Sequence, residues 1–332
     1  QQTQRKREAI MRYSKKPGRL TALTALAGLT LALAACGGDD STSSSSGGSD
    51  LAGKSLTVGS KEFTEQKILG QIAILALEDA GAEVQDETGI TGTTNVRKAL
   101  ESEEIDMYWE YTGTGFTEIL GNETADAPAD SQELFDAVKE QDAKDNGVTW
   151  FAKTTANDTY AFATSAETSD STGVTTLSDY ADLVNSDPES ATMCAAAEFL
   201  DRQDGWPGLE KAYGFSLPDE LITEVDLGIV FTAVPKADPC AFGEVFETDG
   251  RIPANELVVL EDDKDYFVGY EVAMTAREDV LSDAPEVEGV LDAIAAELTT
   301  EELQGLNAQV DVDGLPEEAV AQKWLEDKGL IG

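Results

Sequence analysis

Short apolar runs alternate with segments of helical periodicity from residue 51 onward, and that alternation restricts the chain to an α/β architecture on largely parallel sheets. SLTVG at 55–59 reads as a buried strand, and residues 65–80 then place Ile68, Leu69, Ile72, Leu75 and Ala76 on one helical stripe. A short helix over 94–103 turns Val96, Ala99 and Leu100 inward, and residues 105–109 follow as a strand. Helices are expected at 131–144, around Leu134, Phe135 and Val138, and at 177–184. Strands are expected at 148–152, 159–164, 228–232, 257–260 and 270–275. The last stretch is helical over 285–298, 300–308 and 316–328, with Pro316, Glu317 and Glu318 suited to a helix N-terminus. A length of 332 residues allows about two domains. No internal repeat and no second long linker is visible after residue 50, so two lobes must be closely joined.

The first fifty residues are of another kind. Seven bases and one acid precede Cys36, and residues 20–35 (LTALTALAGLTLALAA) form an apolar run shorter than the ~20 residues a membrane-spanning helix needs. A basic segment before such a run reads as a secretory signal peptide over 1–35. The run ends in Leu33-Ala34-Ala35-Cys36, which resembles the lipobox of bacterial lipoproteins, where cleavage leaves the cysteine as a lipidated N-terminus. An ordinary signal peptide with an incidental cysteine is the alternative. Residues 36–50 follow as a Gly/Ser-rich tether with nothing to bury. The working part is therefore expected on the outer face of a cell membrane, held by lipid.

Charge narrows the function. The net charge is −42; taking the seven early bases from 23 Lys+Arg and the one acid from 65 Asp+Glu leaves 16 bases against 64 acids. A net of −48 on the exported part excludes a general nucleic-acid binder and adsorption to anionic lipid, and suits work in concentrated salt. The absence of His removes His-based triads and His metal clusters, so no metal and no cofactor are expected. Phosphate-loop, dinucleotide and nucleophile-elbow motifs are missing too. Cys194 and Cys240, an even pair in an oxidising compartment, read as one disulfide, with two buried thiols as the alternative.

What stands out is a set of polar-aromatic segments at the ends of expected strands, where α/β sheets gather ligand groups: GSKEFTEQ (59–66), MYWEYTGTG (107–115), NDTYA (157–161), EFLDRQDG (198–205), VFETDGRI (245–252) and LEDDKDYFVGY (260–270). In this order they resemble the solute-binding proteins of ABC importers for osmoprotectants, the glycine betaine/choline/carnitine family, from about Lys54 to Gly332. The resemblance implies a two-lobed type II periplasmic-binding-protein-like fold with the ligand cleft between lobes, lobe one at 51–156 plus 269–332 and lobe two at 157–268. It implies a non-enzymatic receptor, monomeric, that delivers its ligand to a membrane permease. It puts an aromatic cage on Tyr111, Tyr160, Phe246 and Tyr270, with Phe231 competing for the Phe246 wall. It puts Lys61, Thr114 and Arg202 on the ligand carboxylate, and Asp158 near its ammonium.

A quaternary ammonium has no N–H to donate, so aromatic faces suit it, at ~0.5–2 kcal/mol each. Tyrosine hydroxyls are expected to be satisfied at the wet rim. The carboxylate donors point to glycine betaine. Glu271, where the family commonly has Asn, is an extra acid that leaves choline open. Two other readings stand beside these: a same-fold receptor for another small solute such as an amino acid, and a secreted carboxylate-based hydrolase.

Overall fold

A computed structural model of the protein describes residues 51–332; the signal peptide, Cys36 and the tether lie outside the described residues. Ten strands form two five-stranded sheets. The first contains β1 (Ser55–Lys61), β2 (Glu83–Ile90), β3 (Met107–Tyr111), β4 (Val148–Phe151) and β10 (Val272–Arg277), in the order β2-β1-β3-β10-β4. The second contains β5 (Tyr160–Ser165), β6 (Met193–Ala195), β7 (Ile222–Glu224), β8 (Phe242–Phe246) and β9 (Leu257–Val259), in the order β7-β6-β8-β5-β9. The helix Thr64–Asp79 buries Ile68, Leu69, Ile72, Ala73, Ala76 and Leu77 against β1, β2 and the C-terminal helix Glu317–Lys328. The second sheet packs on interlocked aromatics, with Phe162 edge-on to Tyr180 and Phe199 and stacked on Trp206.

The sheets are mixed rather than largely parallel. β1 runs parallel to β2 and β3, and β6 parallel to β7 and β8, but β10 is antiparallel to β3 and β4, and β5 to β8 and β9. β5 and β10 are the strands by which the chain enters each sheet from the other, and both enter reversed. The two crossings lie side by side: Asn157 bridges Glu271, and the Asp158 amide donates to the Tyr270 carbonyl at 3.1 Å.

One expected strand is a helix. GIVFTA at 228–233 lies within the helix Leu227–Ala233, which buries Val230, Phe231 and Ala233 and leaves Ile229 exposed. A short apolar run fits a buried strand and a buried helical turn equally well, and only the neighbours decide. β2 was not anticipated because EVQDETGI is a polar, largely exposed edge strand.

Cys194 in β6 and Cys240 just before β8 form a buried disulfide, Cα to Cα 5.5 Å, across a sequence separation of 46. Closing a loop of that length restricts the unfolded chain by ~4 kcal/mol in the chain-entropy model. A Cys194→Ala/Cys240→Ala variant is expected to lose stability of that order in urea melts monitored by circular dichroism.

Candidate functional site

A cleft of about 1130 Å³ opens between the two sheets. Its walls come from strand ends: Lys61 closes β1, Tyr111 closes β3, Tyr160 opens β5 and Phe246 closes β8. Thr114 lies on the turn after β3, Arg202 just past the helix Ala197–Asp201, and Asp158 and Tyr270 on the two crossings. All eight of these sequence-singled side chains line the cleft.

The rings form an arc. Tyr111 stacks on Phe63 with centroids 6.3 Å apart, Phe63 on Phe246 at 5.5 Å, Phe246 meets Tyr160 at 5.0 Å, and Tyr160 meets Tyr270 edge-on at 5.3 Å. Phe199 backs Tyr160 at 5.1 Å. Gly113 makes room for this packing, since a Cβ there would lie 2.7 Å from the Tyr270 ring. Phe231 takes no part in the wall: it lies in the core of the second sheet, beneath the Arg251 guanidinium at 4.3 Å. Phe63 and Phe199 were not singled out, although both stand in the quoted segments beside Lys61 and Arg202.

The hydroxyls of Tyr111 and Tyr270 are buried rather than at a wet rim. Tyr111 donates to Glu65 Oε1 at 2.9 Å and Tyr270 to Asp204 Oδ2 at 3.1 Å, because carboxylates of the chain reach behind the rings. Glu271 faces away from the cleft, since it neighbours Tyr270 on extended backbone and adjacent side chains point oppositely. Its Oε2 accepts from Thr112 Oγ1 at 3.0 Å.

Both site cations are paired with carboxylates. Lys61 Nζ donates to Glu110 Oε1 at 2.7 Å and lies 5.1 Å from the Tyr111 ring centre. Arg202 grips Asp204 through Nε at 2.8 Å and Nη2 at 2.6 Å, and Nη1 reaches Glu198 at 3.2 Å. Thr114 Oγ1 sits 3.4 Å from Arg202 Nη2, joining the first sheet's turn to the second sheet's cation. Burial works against the charge on Asp204, but Arg202 and the hydroxyls of Thr117 and Tyr270 outweigh it and hold the carboxyl below the usual range. Glu244, at the cleft wall with its carboxylate accepting from the Ala196 amide, is instead pushed up to about 8 by burial.

Asp158 and Glu65 both line the cleft and are joined through Thr248 and Asn307, whose Nδ2 reaches the Thr248 carbonyl at 3.1 Å. Thr248 Oγ1 donates to Asp158, and Asn307 Nδ2 donates to Glu65 Oε2 at 2.9 Å. Burial raises both carboxyls, and the charge of Glu65 raises Asp158 further.

The sequence family described as "Substrate binding domain of ABC-type glycine betaine transport system" matches residues 54–327. A glycine-betaine-binding protein of Pseudomonas aeruginosa is 34% identical over 283 residues, 84% of this chain and 89% of that protein. The ergothioneine transport permease/ergothioneine binding protein EgtU of Helicobacter pylori is 32% identical over 278 residues, 83% of this chain and 48% of that protein. Among solved structures, YehZ of Escherichia coli superimposes with a TM-score of 0.61 at 31% identity, covering 84% of this chain and all of that one.

Proposed function

The chain belongs to the family of substrate-binding domains of ABC-type glycine betaine transport systems, and from that premise we propose that its cleft holds glycine betaine between the ring arc and the paired cations. It is the extracytoplasmic receptor of an importer, not an enzyme. The observation that carries the ligand assignment is the unbroken run of rings from Tyr111 through Phe63, Phe246 and Tyr160 to Tyr270. Such a surface stabilises a methylated cation from several faces and offers it no hydrogen bonds to forgo.

At the far side the ligand carboxylate meets Lys61, Thr114 and Arg202. Lys61 has three ammonium hydrogens, and among the described residues Glu110 takes one. Arg202 is held by Asp204 along one edge, which fixes the guanidinium and leaves Nη1 for the ligand in competition with the half-exposed Glu198. Asp158 and Glu65 supply the acid beneath the cage.

We assign lobe one to 51–156 plus 269–332 and lobe two to 157–268. This division puts every strand of one sheet on each side and leaves the paired crossings at Asn157 and Glu271 as the hinge. Cys36 is the lipidated N-terminus after cleavage, residues 36–50 the tether, and the receptor works as a monomer beside its permease. Among the described residues no helix is long and apolar enough to cross a membrane.

Calorimetric titration of the purified protein with glycine betaine is expected to show saturable binding, with choline at least about tenfold weaker because it leaves the carboxylate donors unmatched. No heat from either at millimolar concentration, an affinity under about 4 kcal/mol, overturns the assignment.

A further inference from the structure

Two carboxyl groups in contact inside a protein cannot both carry full charge; like charges at that range force one to keep its proton. Glu65 and Asp158 are brought together as such a pair, 3% and 2% exposed, by Thr248 and Asn307: Thr248 donates its hydroxyl to Asp158, and Asn307 Nδ2 bridges the Thr248 carbonyl at 3.1 Å and Glu65 Oε2 at 2.9 Å, beneath the cage ring Tyr111, whose hydroxyl donates to Glu65. Donors converge on the pair from several elements. Tyr111 comes from β3, Thr248 from the segment after β8, and Asn307 from the helix Thr300–Asp311.

Charges around the pair are already spoken for. Lys61, above the Tyr111 ring, is bound to Glu110. Arg251 is bound to Asp249 at 2.6 Å and to Asp311 at 3.4 Å, and Asp311 also accepts from Thr64 at 2.7 Å. Tyr270, from the second crossing, gives its hydroxyl to Asp204. The half-buried Glu247 adds acid rather than base. Among the described residues, then, neither carboxyl has a Lys or Arg as an ion-pair partner.

We propose that the Glu65–Asp158 pair holds one shared proton in the unliganded receptor and releases it when an onium group is bound in the cage. The proposal rests on the betaine reading above. The chemistry is a single acid dissociation: the carboxylic acid of the pair loses its proton to solvent, and the ligand's fixed positive charge takes over the role of keeping the second carboxylate in place. Protein with ligand then binds fewer protons than protein without, so affinity must rise with pH between the range where the shared proton dissociates in the liganded protein and the higher range where it dissociates in the free protein, by up to about tenfold per pH unit.

Titration of the whole protein with glycine betaine in two buffers of different ionisation heat tests this. Support is an observed heat that differs between buffers in proportion to their ionisation heats, a Kd that tightens as pH rises, and loss of both effects in Asp158→Asn or Glu65→Gln. A second measurement guards against misfolded variants: infrared difference spectra of the wild-type protein should lose a protonated-carboxyl carbonyl band when betaine is added. Betaine binding with buffer-independent heat, a flat pH profile and no change in that band overturns the proposal and leaves the betaine reading intact. No binding in any buffer overturns both.

Discussion

Arg202→Ala is expected to lower unfolding stability by about 3–5 kcal/mol and to abolish measurable betaine binding, because it strips the partner from a carboxylate held deep in the protein. Asp204 has 2% of its side chain exposed and keeps only the hydroxyls of Thr117, at 2.6 Å, and Tyr270 once the guanidinium is gone. The pH dependence separates this cause from lost packing. In the wild type Asp204 is depressed below its unfolded range, so its contribution to stability is present above the unfolded pKa and fades as pH falls through the folded one. In the variant burial raises the same group, so the variant gains relative stability as the solution is acidified. Urea melts should show a gap between the two proteins that narrows from pH 7 toward pH 4. Adding Asp204→Asn to Arg202→Ala should recover more than half of the lost stability without restoring ligand affinity. A gap of the same size at both pH values contradicts the electrostatic account.

The residues that face the cleft were legible through the family resemblance of the segments that carry them, and those segments stand where strands end, although β8, which Phe246 closes, was not among the expected strands. Lys61, Tyr111 and Phe246 each close a strand and Tyr160 opens one, and polar or aromatic residues at such places have few structural duties that compete with ligand contact. Their carboxylate partners were not legible. Glu65, Glu110 and Asp204 are three acids among 64 after Cys36, and nothing in sequence separates a buried partner from a solvated surface group. Glu110 shows why: it sits in MYWEY, where all five residues are buried, and its ion-pair partner, Lys61, arrives from the neighbouring strand to join the Tyr108 hydroxyl and the Tyr111 amide on its carboxylate. The direction of β5 and β10 was hidden for a similar reason, since strand polarity follows from how the chain crosses between sheets and leaves no local trace. The helix at 227–233 was hidden because seven apolar-rich residues satisfy either period.

Tyr160 is where the cage assignment is most exposed to test. Its ring meets those of Phe199, Phe246, Phe267 and Tyr270, and the Arg202 guanidinium lies 5.7 Å from its centre, so it is the junction between the aromatic arc and the cationic side. Tyr160→Leu retains apolar bulk and removes the π face. A desolvated cation–π contact of about 2 kcal/mol then corresponds to a loss of roughly thirtyfold in affinity for glycine betaine. Choline should lose about the same factor, because the onium group is common to both ligands and the carboxylate donors are untouched. Tyr160→Phe keeps the face and should stay within about threefold of the wild type. The comparison is internal: a structural role alone would weaken Leu and Phe variants according to packing and would show in thermal stability, whereas a role in the cage separates them in Kd. If Tyr160→Leu binds betaine as tightly as Tyr160→Phe does, the ring is core and the onium lies elsewhere in the cleft.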